Sequence, residues 1–242
     1  MLRGQYVGES GRTLVMQFGK NSKALLKQHL LKAEPAAMAL SRDASRVGVG
    51  MHDETLHFLD RELQPVKRLV LDSTARSLHF LRSGELLVAT DSAIIRVNNN
   101  FDVQPTAYGR PAFHIVTDDA EKLLVVARWF ALNARGDKEE FGMEILSLPS
   151  LAQERTILIP GHQLVTPAIS PDGRYVACHA HEIGKHRRFI AVLETPTGRE
   201  VARRKCLLLN ALRFLPDNRT LAIGASEHTK GEAVTLWRVP GL

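Results

Sequence analysis

The stretch Ala168-Ile169-Ser170-Pro171-Asp172-Gly173-Arg174-Tyr175-Val176-Ala177 predicts a strand, a tight turn and a second strand. Asp at the turn bonds its own backbone two residues on, and the glycine after it tolerates positive φ. The pattern returns five more times along the chain, with the turn position at Ser10, Asp43, Ser83, Asp119 and Asp217. Six copies of one hairpin indicate a repeat protein.

The residues that flank each turn are apolar at matching positions. Side chains alternate between the two faces of a strand, so the fourth and sixth residues after the turn share one face. Those positions hold Leu14 and Met16, Val47 and Val49, Leu87 and Ala89, Leu123 and Val125, Val176 and Cys178, and Leu221 and Ile223. The residue between them is mostly apolar or small, which predicts a strand that is covered on both faces.

The spacing of the turns predicts the architecture. Successive turns lie 33, 40, 36, 53 and 45 residues apart, and a period of about 40 to 45 residues is that of a four-stranded propeller blade. An antiparallel sandwich is the alternative, but it does not require turns in matching register. We therefore expect an all-β, six-bladed β-propeller of mostly four-stranded antiparallel blades, in one domain over residues 1–242. The repeats run over residues 2–34, 35–73, 74–109, 110–160, 161–206 and 207–242.

Two places depart from a uniform repeat. Residues 23–32 also fit an amphipathic helix by propensity, although the other repeats favour a strand there. The last repeat reaches only its third strand, because Pro240, Gly241 and Leu242 alone follow Val239. The last blade is therefore expected to be incomplete, and an open strand edge is a template for strand addition.

Composition bounds the class of protein. The chain has 44% hydrophobic residues and a net charge of +6, values typical of a globular protein with a moderately basic surface. No apolar run reaches the length of a membrane span, and the first residues lack the apolar core of a signal peptide. The only cysteines are Cys178 and Cys206, and two cysteines do not form a disulfide framework. We expect a cytoplasmic protein without a membrane partner or a cofactor.

The last two repeats resemble the WD-repeat β-propeller family. Gly161-His162 stands eight residues before Ser170 and is similar to that family's blade opening. Leu236-Trp237-Arg238-Val239 is similar to its closing Trp-Asp strand, with Arg238 where Asp is usual. The resemblance implies a divergent propeller that serves as a platform for other proteins, a family in which catalysis is uncommon.

The longest insertion lies in the fourth repeat, between Val126 and Met143. It reads as an extended hairpin, and long loops on a rigid scaffold often carry function. A hairpin packed on its own blade is the alternative. The candidate partner-binding residues are Arg128, Trp129, Phe130, Arg135 and Phe141.

Two basic runs lie in the fifth repeat and are predicted to share one side of its blade. Such a patch fits phosphate or nucleic acid, although charge runs are often plain solvated faces and stacking aromatics are scarce. The candidate basic patch comprises Lys185, His186, Arg187, Arg188, Arg203, Arg204 and Lys205.

Catalytic and metal signals are weak. His179 and His181 share one face of a predicted strand, a spacing that metal ligands use, but a polar strand end explains them as well. The chain has no Gly-x-Ser-x-Gly, phosphate-binding glycine loop or His-Glu-x-x-His. We assign no catalytic and no metal residue. We expect a non-catalytic scaffold or adaptor that displays blade loops to a protein partner. The alternatives are a propeller hydrolase or lactonase with a central-channel metal, and a subunit that contacts nucleic acid through a basic face.

Overall fold

The protein is all-β. The computed structural model describes residues 2–7, 12–18, 25–31, 33–130, 140–185, 187–206, 209–227 and 231–242. For 2–7, 12–18, 25–30, 129–130, 140–141, 225–227 and 231–233 it describes the backbone alone. In these ranges all regular secondary structure is β-strand, and neighbouring strands in each sheet pair antiparallel. The chain forms two compact units, Met1–Phe113 and His114–Leu242.

The N-terminal unit contains three antiparallel sheets. Sheet A has three strands, β1 (Leu2–Val7), β2 (Arg12–Phe18) and β3 (Leu25–Leu31), in that order. Sheet B has four, β4 (Pro35–Leu40), β5 (Arg46–Met51), β6 (Thr55–Asp60) and β7 (Pro65–Val70). Sheet C also has four, β8 (Ala75–Phe80), β9 (Leu86–Thr90), β10 (Ile94–Val97) and β11 (Val103–Pro105).

The C-terminal unit repeats the arrangement. Sheet D has β12 (His114–Thr117), β13 (Leu123–Phe130), β14 (Glu140–Ser147) and β15 (Gln153–Ile157). Sheet E has β16 (His162–Ile169), β17 (Tyr175–Glu182), β18 (Arg188–Glu194) and β19 (Glu200–Lys205). Sheet F has three strands, β20 (Leu209–Phe214), β21 (Thr220–Glu227) and β22 (Gly231–Arg238). Within residues 23–32 the strand prediction is confirmed over the helix alternative by β3. In the described residues the last repeat has three strands.

The sheets of each unit pack face to face through apolar side chains. In the N-terminal unit, Leu56 and Phe58 of sheet B meet Leu78 and Phe80 of sheet C in one buried cluster. The two backbones come close where a Cβ on Gly50 would lie 2.6 Å from the Cβ of Ala75. Glycine at position 50 therefore lets sheets B and C approach.

Sheet E lies between sheets D and F in the C-terminal unit. Its residues Cys178 and Ala191 belong to a cluster with Met143 of sheet D. On the other face, Ala177 and Val192 pack with Phe214 and Leu221 of sheet F. The central strands are therefore buried on both faces, as their sequence pattern predicts.

The predicted turns join the first two strands of their sheets, and those of sheets B and E follow the same hydrogen-bond scheme. In sheet B, Asp43 Oδ1 accepts from Ser41 Oγ (2.7 Å) and the backbone N–H of Ser45 (3.1 Å). In sheet E, Asp172 Oδ1 accepts from Ser170 Oγ (2.6 Å) and the backbone N–H of Arg174 (3.1 Å). The residue after the turn position has positive φ: Ala44, Gly84, Gly173 and Asn218. The turn at Ser10 lies outside the described residues.

One turn assignment was wrong by one residue. In sheet D the left-handed residue is Glu121, with φ of 53°, so the equivalent turn position is Ala120 and not Asp119. Strand register agrees, because Thr117 pairs with Leu124. Asp118 caps the turn instead, since its Oδ1 accepts from the N–H groups of Lys122 and Leu123, both at 2.9 Å.

Candidate functional site

The β13–β14 hairpin extends beyond the rest of sheet D. The register of β12 ends with His114 opposite Ala127, and that of β15 ends with Ile157 opposite Met143. Further out, three more residue pairs join β13 and β14 alone: Arg128 with Gly142, Trp129 with Phe141, and Phe130 with Glu140. The described strands pair as the predicted hairpin requires up to Phe130 and Glu140, and residues 131–139 lie outside the described residues. The side chains of Trp129, Phe130 and Phe141, and all of Arg135, lie outside the described residues.

Arg128 stands at the base of this hairpin with its charge turned inward. Its Nη1 lies 3.6 Å from Oε1 of Glu144, and the two side chains are 10% and 1% exposed. A buried carboxylate is costly without a partner, so Arg128 stabilises the hairpin base. Glu144 was missed by the sequence reading, although a carboxylate between Met143 and Ile145 in an apolar strand is a detectable signal.

The first basic run lies between β17 and β18 and reaches β18 only at Arg188, whereas the second run lies on the neighbouring strand β19. Cross-strand partners share a face, and Arg203 and Lys205 stand opposite Ala191 and Phe189, which face sheet D. Arg204 stands opposite Ile190, which faces sheet F. The second run is therefore divided between the two faces of the sheet.

Carboxylates pair with several cations of the two basic runs. Glu182 pairs with Lys185 at 2.5 Å and with Arg187 at 3.9 Å. Glu200 accepts two hydrogen bonds from Arg203, each of 2.8 Å. Because these carboxylates lie beside the cations, the local field is weaker than the sequence suggests.

Two arginines of β19 also stack on aromatic rings. The Arg203 guanidinium lies 3.8 Å from the centroid of Phe189, and that of Arg204 lies 5.7 Å from Trp237. Such cation–π contacts hold the arginine stems against their sheets. Among the candidate patch residues, His186 lies outside the described ranges.

His179 and His181 form a hydrogen-bonded pair on the face of sheet E that looks toward sheet F. His181 Nε2 lies 2.9 Å from His179 Nδ1, and His179 Nε2 lies 3.4 Å from the carbonyl oxygen of Cys206. A carbonyl only accepts, so neutral His179 donates from Nε2 and accepts at Nδ1. Desolvation and then His181 lower the pKa of His179 to about 4. In the described part of the chain, no group of three or more His, Cys, Asp or Glu is placed to hold a metal.

The first turns of adjacent sheets are bonded to each other, which sequence reasoning did not foresee. In the C-terminal unit, Asp119 N–H donates to the carbonyl of Pro171 at 3.1 Å. Asp172 N–H donates to Oδ1 of Asn218 at 3.0 Å. These bonds align the turns of sheets D, E and F along one side, which we call the turn face of the unit. The outer ends of β13 and β14, at Phe130 and Glu140, and the ends of β17 and β18, at Glu182 and Arg188, lie at the opposite strand ends. We call this side the hairpin face.

The described residues include no helix that is long and apolar enough to span a membrane.

Comparison with known proteins identifies the fold but no family. No protein-family model matches the chain, and no curated protein matches it. Among solved structures, a chain of the hydrazine synthase of Kuenenia stuttgartiensis is similar, with a TM-score of 0.73 and 15% sequence identity. The match covers 93% of this chain and 70% of that one. At this identity the likeness concerns the fold alone, and one fold hosts many activities.

Proposed function

We propose that the chain is a divergent WD-repeat-like β-propeller with six blades, and that it acts as a scaffold for a protein partner. Sheets A to F are the blades, and within each unit each sheet packs against the next one along the chain. Three features support this: the repeated first turn, the face-to-face packing within each unit, and the fold likeness to a solved chain. The mechanism is rigid display of loops, which limits the ordering cost of binding.

The protruding β13–β14 hairpin is the observation that carries the binding proposal. Its outer three residue pairs have no partner strand from β12 or β15. Trp129 and Phe141 are paired there, and aromatic residues are enriched in the energetic centres of protein interfaces. The β17–β18 turn, with Lys185 and Arg187, lies at the same end of the next sheet. The hairpin face of the C-terminal unit is therefore our candidate docking surface.

Affinity purification of the tagged full chain from its native host tests this proposal. A trimmed variant replaces residues 131–139 with Asn-Gly, a two-residue turn that suits the flanking pair Phe130 and Glu140. The control is Val234→Ser, which changes a residue that is 76% exposed on β22. We expect one protein to co-elute near one-to-one with the parent and the control, and to be lost from the trimmed variant.

Either of two results would count against the proposal. If no protein co-elutes near one-to-one, the scaffold role fails. If the trimmed variant retains the partner as well as the parent does, the hairpin face is not the docking surface.

A further inference from the structure

A cleft of about 440 Å³ lies on the N-terminal unit, between the first turns of sheets B and C. The turn of residues 41–46 forms one wall, and the turn of residues 81–84 forms the other. Asn99, from the turn between β10 and β11, closes one side. These residues play no part in the hairpin face of the C-terminal unit.

Three arginines line the cleft: Arg42, Arg46 and Arg82. Arg42 is exposed and has no hydrogen-bond or ion-pair partner among the described residues. Asp43 is the one carboxylate in the lining, so the formal charge of the lining is three positive against one negative.

The Asp43 carboxylate is engaged within its own turn. Its Oδ1 accepts from Ser41 Oγ at 2.7 Å, Ser45 N–H at 3.1 Å and Ser45 Oγ at 2.8 Å. The hydrogen bond from Ser41, followed by those from Ser45, lowers the pKa of Asp43 to about 2. In the described residues no ion pair joins Asp43 to an arginine of the cleft, so Asp43 leaves the charge of Arg42 available to an external anion.

Asn99 holds Arg46 in place across the two sheets. Arg46 Nη1 donates to Asn99 Oδ1 at 3.1 Å, while Asn99 Nδ2 donates to the carbonyl of Ser83 at 2.9 Å. The Arg46 guanidinium also lies 5.8 Å from the centroid of Phe101. A positioned guanidinium loses less freedom when it binds a planar anion.

We propose that this cleft binds acidic side chains of a protein partner. A guanidinium presents paired N–H donors that match the two oxygens of a carboxylate. The cleft has the volume of a small-ligand site, which suits one or two side chains of a docked segment. The assignment of the acidic segment to a partner protein rests on the proposed scaffold function. The binding of carboxylates by the cleft does not.

A protein segment fits this cleft better than nucleic acid does. No aromatic side chain belongs to the described lining, so the cleft offers no platform for base stacking. Nucleic acid binders follow an extended phosphate backbone with many cations. Three arginines around one cleft form a compact site instead.

Fluorescence anisotropy with labelled hexaglutamate and labelled oligothymidine tests the proposal on the full chain at low salt. The test variant is Arg42→Glu/Arg82→Glu, which changes two exposed side chains. The control is Arg68→Glu, an exposed residue of β7, introduced once alone and once with Lys67→Glu to match the double charge reversal. Thermal unfolding verifies that all variants fold.

We expect hexaglutamate to bind the parent and to bind the double variant about tenfold more weakly, with a change of at most about twofold in the β7 controls. The proposal is overturned if hexaglutamate does not bind the parent, or if the β7 controls weaken it as much. It is also overturned if oligothymidine alone binds and depends on Arg42 and Arg82. None of these results depends on partner capture, so the scaffold proposal and the cleft proposal fail separately.

Discussion

The backbone N–H of Asp172 donates a 3.0 Å hydrogen bond to Oδ1 of Asn218, which joins the first turn of sheet E to that of sheet F. Asn218 itself has φ of 58°, a left-handed conformation in which Asn is tolerated and Ala is costly. Asn218 thus adopts the left-handed conformation that its own turn requires, and its side chain bonds the first turn of sheet E.

Replacing Asn218 separates these two roles. Asn218→Ala removes the bond and strains the backbone, so we expect a loss of about 1.5 kcal/mol in the free energy of unfolding. Asn218→Gly removes only the bond and should cost about 0.5 kcal/mol. Urea unfolding measures both values. Equal losses for the two variants would mean that the left-handed conformation carries no cost at this position.

Gly50 tests the close packing of sheets B and C. A Cβ at position 50 would meet Ala75 at 2.6 Å, whereas one at Gly48 would find its nearest neighbour, Leu86 Cδ2, at 3.4 Å. We expect Gly50→Ala to destabilise the protein by about 2 kcal/mol and Gly48→Ala to cost less than half as much. Chemical denaturation compares the pair. A neutral Gly50→Ala variant would show that the two sheets are further apart than described.

Gly84 leaves space for the side chain of Asn99, which bonds both Arg46 and Ser83. A Cβ at Gly84 would lie 2.7 Å from Asn99 Oδ1, and φ is +87°. Gly161, with φ of +73° and no atom within 4 Å of its Cβ position, provides a control for backbone strain alone. We expect Gly84→Ala to cost about 1 kcal/mol more than Gly161→Ala.

That excess should disappear when Asn99 is also replaced. In the Asn99→Ala background, the Cβ of residue 84 no longer opposes a side-chain oxygen, so only backbone strain remains. A double-mutant cycle from denaturation curves measures the coupling. Independent, additive effects would argue against contact between residues 84 and 99.

His179 makes the stability of the C-terminal unit depend on pH. The side chain is 2% exposed, and burial followed by the proximity of His181 lowers its pKa to about 4. The unfolded state binds a proton near the ordinary histidine pKa of about 6.5, so the folded state loses stability as pH falls from about 6.5 to 4. We expect a loss of about 2 kcal/mol between pH 7 and pH 5.

Urea unfolding at pH 7 and pH 5 checks this dependence, with His179→Gln as the comparison. Asp43 and Asp217 have lowered pKa values and influence stability only at lower pH, because they titrate below the histidine window. The parent should weaken more than the variant on acidification. The same weakening in both proteins would exclude His179 as the source.

The sequence pattern predicted the β-strands because local chemistry controls them. Strand Leu86–Thr90 follows the predicted turn at Ser83 and contains the matched apolar positions Leu87 and Ala89, since both signals act over a few residues. The turn at Asp172 was also predicted from its local sequence. The turn in sheet D was placed one residue early, because Asp119 has the side chain of a turn residue, whereas Ala120, the equivalent position in the strand register, does not.

Features that depend on distant residues could not be predicted. The Arg46–Asn99 bond joins residues 53 positions apart, and no local pattern indicates which side chains meet across two sheets. The basic runs at Lys185 and Arg203 were recognised as charge, but their pairing with Glu182 and Glu200 depends on side-chain geometry. The side-chain contacts at the candidate sites were therefore less accessible to prediction than the strands.

A crystal structure of the full chain tests the six-blade proposal most directly. We predict six sheets arranged around one axis in chain order, with the turns at Asp43, Asp172 and Asp217 on one side of the ring. Two sheets stacked as a sandwich, or two units that share no common axis, would contradict the propeller and the scaffold function derived from it.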